Sequence, residues 1–196
     1  ETPVRLLNIY EGTWLPIYAR IFSEIRDCPA FCEAFLAEES LAAVFQPCSG
    51  VPIDRVFYRG ADWPWRDRLE FTEQLLHQAL AMANLPPAVS CAALLADNVR
   101  VDVDEKRISL RFRIRPMEDM NARELALLAS DHARKILAPR FRQGDAEYAF
   151  CRRLERGEFL SIVPLYAGWH RAMEEIRAEY EALDRKNAFK RWFTFL

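Results

Sequence analysis

Five arginines, Arg100, Arg107, Arg111, Arg113 and Arg115, fall within the stretch VRVDVDEKRISLRFRIRP that runs from Val99 to Pro116. A guanidinium group stays charged at any biological pH and presents a planar fork of N–H donors, so a row of them suits phosphate or carboxylate ligands. In the same stretch Val99, Val101, Val103, Ile108, Leu110, Phe112 and Ile114 alternate with polar residues, the period of a half-buried strand. The spacing predicts a β-hairpin over 99–115 with Glu105 and Lys106 at its tip. Val103 then faces Ile108, Val101 faces Leu110 and Val99 faces Phe112, while Arg100 stands opposite Arg111, an unfavourable pair. The polar face carries these five arginines against Asp102 and Asp104, so it is expected to be positive.

Other residues could do chemistry. Trp63, Pro64 and Trp65 form an aromatic segment with Arg59, Asp62, Arg66, Asp67 and Arg68 around it. Two indoles with guanidinium groups nearby can stack a flat ligand or a base, although capping the core is the plainer expectation. His132 falls on the apolar line of Leu125, Leu128, Ala129 and Ile136, with Asp131 beside it. A catalytic base there would need a partner, and the chain has no serine or cysteine elbow, no glycine-rich phosphate loop and no His-Glu-x-x-His. A satisfied core histidine is the expectation. His77 lies off the apolar stripe of its helix and is expected in solvent; His170 and Glu174, four residues apart, are expected to share a surface hydrogen bond rather than a metal. Cys28, Cys32 and Cys48 could hold a metal only if the fold gathered them; no Cys-x-x-Cys pair supports that, and no metal or cofactor is expected.

The last residues combine basic side chains with Phe189, Trp192, Phe193, Phe195 and Leu196. Such a tail can dock in a partner's groove, touch an anionic membrane from one side, or fold back on its own core.

The elements that must position these groups are mostly helical. Apolar spacing predicts helices over 13–26, from Pro29 to just before Ser49, over 67–84, from Asn121, from Gly144 onward up to Gly157 and from Leu165 onward, with a helical turn near 90–96. Residues 54–59 read as a third strand beside the hairpin, and Pro3 to Tyr10 reads as an edge strand or a helix start. The fold class expected is therefore α+β: a mostly helical single domain over 1–187 packed on a small antiparallel sheet, with 188–196 as an amphipathic tail.

A chain of 196 residues, 51% apolar and 29% charged, can bury a substantial core, and its net charge of −2 argues against wholesale nucleic-acid binding. No apolar run is long enough to span a membrane, the start does not resemble a secretion signal, and the odd count of 5 cysteines points to reduced thiols in the cytoplasm. The leading expectation is a non-catalytic adaptor or subunit of a larger assembly that binds a protein partner through the hairpin face or the tail. The alternative is an anion- or nucleic-acid-binding domain that uses the arginine row. The third is an enzyme of unknown class with His132 near the Trp63/Trp65 loop.

Overall fold

The computed structural model describes residues 4–28, 30–58, 61–115, 120–137 and 145–194, with the backbone alone for 188–194. Among them are two antiparallel three-stranded sheets and seven helices, an α+β architecture as the sequence predicts.

The first sheet contains β1 (Leu6–Glu11), β2 (Phe31–Ala37) and β3 (Ser40–Phe45) in the order β1-β3-β2. The region from 29 to 48, expected as a helix, is thus a hairpin, with Pro29 outside the described residues. Alanine, leucine and glutamate favour helices, but the preference is weak and burial overrides it. Leu41 to Phe45 are all buried because β3 is central in the sheet, and Glu38, at φ 54, makes the turn. Helix α1 (Leu15–Glu24) carries Pro16 in its first turn, where no helical bond is lost, and packs Tyr18, Ile21 and Phe22 on one face of this sheet. Tyr10 and Tyr18 lie 4.3 Å apart, ring to ring.

The second sheet contains β4 (Val51–Pro52), β5 (Val99–Asp102) and β6 (Arg107–Leu110). A third strand does join the hairpin, but upstream of residues 54–59: Val51 pairs with Val101, and Ile53–Val56 forms a single helical turn, α2. Pro52, which has no N–H, fits a short edge strand. The hairpin itself forms with a register two residues from the expected one. Val101 faces Ile108, Val99 faces Leu110, Arg100 faces Ser109 and Asp102 faces Arg107. A shift of two keeps every side chain on its face. It also separates Arg100 from Arg111, and Asp102 closes the longer loop by accepting the Glu105 N–H at 3.1 Å.

Helix α3 (Trp65–Ala81) starts directly after Pro64 and guards the open edge of β6. Gln74 Nε2 donates to the Lys106 carbonyl at 2.9 Å, Gln78 Nε2 donates to that of Ile108 at 2.6 Å, and the Ile108 N–H donates to Gln74 Oε1 at 2.8 Å. An unpaired strand edge invites association, and these two amides satisfy it internally.

The remaining helices are α4 (Pro87–Ala93), α5 (Ala122–Leu137), α6 (Asp145–Glu155) and α7 (Ile162–Thr194). Asn121 caps α5 as its sequence predicts, its Oδ1 accepting the N–H groups of Arg123 at 2.9 Å and Glu124 at 3.1 Å. Pro164 does not interrupt α7, because it sits in the first turn. The helix runs on past 187 to Thr194, while the side chains of Phe189, Trp192, Phe193 and Phe195 lie outside the described residues. Among the described residues no helix is long and apolar enough to cross a membrane. Phe45 of the first sheet stacks on Phe112, just beyond β6, at 5.8 Å, so one core joins both sheets.

Candidate functional site

After Leu110 the chain leaves the second sheet but keeps its alternation. Phe112 and Ile114 are buried, while Arg113 and Arg115 are exposed and Arg111 is half-buried. This extended segment, 111–115, passes alongside β1, where Asn8 Nδ2 donates to the Phe112 carbonyl at 2.8 Å. Between segment and strand lies a cleft of about 430 Å³ whose walls carry Arg111, Arg113 and Arg115 on one side and Leu7 to Tyr10 on the other, with Tyr18 contributed by α1.

The arginine row is therefore divided. Arg100 Nη2 donates to the Gly50 carbonyl at 2.7 Å, and Arg107 Nη2 donates to Ser49 Oγ at 3.4 Å, so both belong to the turn before β4. Arg111, Arg113 and Arg115 line the cleft, and none has a carboxylate within ion-pair distance among the described residues. The Nε of Arg111 is buried without a hydrogen-bond partner. Burial pushes the Tyr10 phenol up to about 12; the neighbouring Ile114 backbone, the Arg113 charge and the Asn8 amide act against that rise. Those groups stand beside the hydroxyl without hydrogen-bonding geometry, so it too is buried and unpaired. Burial likewise raises Tyr18, and the Arg115 charge opposes it. Both phenols stay neutral near pH 7, leaving the cleft with positive charge alone.

Several other basic residues of the second half have carboxylate partners of their own. Arg134 lies 3.5 Å from Asp131, Lys135 2.6 Å from Asp54 and Arg153 3.0 Å from Glu158, so the helices neutralise their own cations. Arg140 and Arg142 lie outside the described residues.

The two indoles are separated. Trp63 packs against Phe57 and Phe71 at 5.6 and 5.5 Å and donates to the Val56 carbonyl at 3.3 Å, which makes it a core cap. Trp65 stacks on Tyr180 at 5.1 Å and donates to Asp184 at 3.3 Å, with the Arg66 guanidinium 4.4 Å from its ring. Arg59 lies outside the described residues. His132 is buried on α5, and because the Leu94 carbonyl only accepts, its Nε2 carries the proton of their 2.6 Å bond. Burial holds its pKa below the ordinary value. Asp131 points outward to Arg134, so the two are not an acid-base pair. Cys28 is buried, Cys32 lies on β2 and Cys48 Sγ sits 3.1 Å from Ser109 Oγ; among the described residues no His, Cys, Asp and Glu group could hold a metal.

Two clusters escape a linear reading. Arg68 on α3 sits 3.2 Å from both carboxylate oxygens of Glu147 on α6, both buried, and the half-buried Tyr180 of α7 donates its hydroxyl to that carboxylate. Along a groove between α3 and α7, Glu73 accepts from Tyr166 at 2.7 Å and from Trp169 at 2.6 Å, with His170 Nε2 at 3.6 Å. The partner of His170 is thus Glu73 rather than Glu174. A signal for the first cluster existed: Arg68 occupies the stripe of Thr72, Leu75 and Leu76, a charged residue at a core position.

No protein-family model matches this chain, and no curated protein matches it.

Proposed function

We propose that this chain is an anion-binding domain whose cleft between β1 and residues 111–115 takes a ligand bearing phosphate or carboxylate groups. The observation that supports this reading is the convergence of Arg111, Arg113 and Arg115 on one cleft without carboxylate partners among the described residues, in a chain of net charge −2. Alternate residues of an extended segment point the same way and stand about 7 Å apart, so Arg113 and Arg115 act as a pair. Arg111, half-buried beside this exposed pair, binds an oxyanion more strongly than a solvated guanidinium would, because less water competes for its donors. The buried phenols add no negative charge to oppose the ligand.

Titration with tripolyphosphate at two salt concentrations tests the reading. Binding should weaken steeply as salt rises, and Arg113→Ala/Arg115→Ala should lower affinity by about tenfold or more, the scale of losing charge-assisted bonds. Arg100→Ala, whose guanidinium serves the turn before β4, should bind as the wild type does. Wild-type affinity in the double variant would refute the assignment.

A further inference from the structure

The first sheet buries one face under α1 and leaves the other open among the described residues. The register places Ile9, Ala42 and Phe35 in one row across that open face and Leu7, Val44 and Glu33 in the next. Leu7, Ile9 and Phe35 are 53%, 60% and 49% exposed, large values for apolar side chains that stand together. Ala42 and Val44 between them are small and shielded by their neighbours. The face is therefore a shallow apolar trough, rimmed by Leu7 and Ile9 on β1 and by Phe35 on β2. Strands are about 4.8 Å apart, so the trough is about 10 Å wide, the diameter of an α-helix.

The two flanks differ in charge. On the β1 side the trough is continuous with the arginine cleft, since Leu7 and Ile9 also line that cleft. On the β2 side stands Glu33, while Glu38 and Glu39, in the turn between β2 and β3, and Glu11 at the end of β1 close one end of the trough, all exposed. A helix lying along the strands would meet arginine on one flank and glutamate on the other. Its carboxylates at i and i+4 would be about 6 Å apart along the axis, close to the spacing of about 7 Å between Arg113 and Arg115.

Resting on the anion-binding reading, we infer that the open face of the first sheet docks an amphipathic helix of a partner protein, with an apolar stripe on Leu7, Ile9 and Phe35 and an acidic flank on Arg111, Arg113 and Arg115. The apolar contact supplies affinity, and the charge asymmetry sets which way the helix lies.

The probe is a fluorescent synthetic helix with leucines on one stripe, glutamates on one flank and lysines on the other, titrated in parallel with tripolyphosphate. Phe35→Ser changes an exposed side chain that does not line the arginine cleft and leaves the core intact. It should weaken the peptide by about tenfold or more while tripolyphosphate affinity stays unchanged. Arg113→Ala/Arg115→Ala should weaken both, and a peptide with lysine on both flanks should not bind. Peptide affinity unchanged in Phe35→Ser would overturn the docking site while the anion site stands. Tripolyphosphate affinity unchanged in the arginine variant would instead overturn the anion site. Binding to phosphatidylserine vesicles or single-stranded RNA in place of the peptide, or self-association abolished by Phe35→Ser, would reject the helix as occupant.

Discussion

Gly50 and Gly12 both adopt left-handed backbone, at φ 88 and φ 84, but only Gly50 is crowded. A Cβ at Gly50 would lie 2.3 Å from the Val101 carbonyl oxygen and 2.6 Å from the Asp102 nitrogen, whereas one at Gly12 meets nothing within 4 Å. An L-residue in this region costs about 1–2 kcal/mol, and Gly12→Ala should show that cost alone. Gly50→Ala must also displace β4 from β5 by about 1 Å, since backbone atoms cannot rotate away, and overpacking of this kind adds about 1–3 kcal/mol. The expected difference between the variants is about 2 kcal/mol, or roughly 4–8 °C in Tm for a protein of this size. Urea and thermal unfolding measure it. The folded fraction of Gly50→Ala should still bind tripolyphosphate as the wild type does, because this turn holds Arg100 and Arg107 and not the cleft arginines. Equal destabilisation by the two alanines would refute the steric argument, and loss of binding in folded Gly50→Ala would refute the division of the arginine row.

Glu147→Gln leaves Arg68 buried without a counter-charge and should cost about 3 kcal/mol in urea unfolding, whereas Arg68→Met/Glu147→Leu/Tyr180→Phe, which removes every polar member, should return to within about 1 kcal/mol of wild type. Burial holds the pKa of His132 below 6.5, so the unfolded chain binds its proton more readily and stability is lost as pH falls from 6.5 toward the folded value. His132→Gln, which keeps an N–H for the Leu94 carbonyl, should lack that slope in thermal melts at pH 7.5 and 5.5. Tyr10→Phe removes a buried unpaired hydroxyl and should raise stability by about 1 kcal/mol with tripolyphosphate affinity unchanged; destabilisation would mean that the hydroxyl has a partner.

The hairpin was legible in the sequence because alternation between faces is a local property that the fold cannot easily override. Its register was not, since a slip of two residues preserves the pattern and only the turn decides; here Asp102 accepting the Glu105 N–H decides it. The region 31–45 misled because Ala, Leu and Glu carry a helical preference worth tenths of a kcal/mol per residue, less than burying Leu41 to Phe45 in the centre of a sheet contributes. For the site, the arginines could be named from spacing. Their opposite wall could not, because Asn8 and Phe112 are far apart in sequence and only the tertiary fold joins them. The same limit hid Glu147 from Arg68 and Glu73 from His170.

A chain with slightly more acidic than basic residues can still present a positive site if its topology separates the two kinds of charge. Its helices place acid and base within reach of one another, as Arg134 with Asp131, Arg152 with Glu155 and Lys135 with Asp54 illustrate, so their fields cancel at short range. Segment 111–115 is extended, and its own alternation puts Phe112 and Ile114 inward and the arginines outward, with no position left on that side for an acid. The part of β1 that lines the cleft, Leu7 to Tyr10, carries no acidic residue; Glu11 ends the strand outside the cleft wall. Positive charge in the cleft thus follows from which strand lies beside which segment, and a carboxylate placed on that wall at an exposed position that does not hold the segment, as in Ile9→Glu, should quench it while the Asn8 bond to Phe112 keeps the arginines in place.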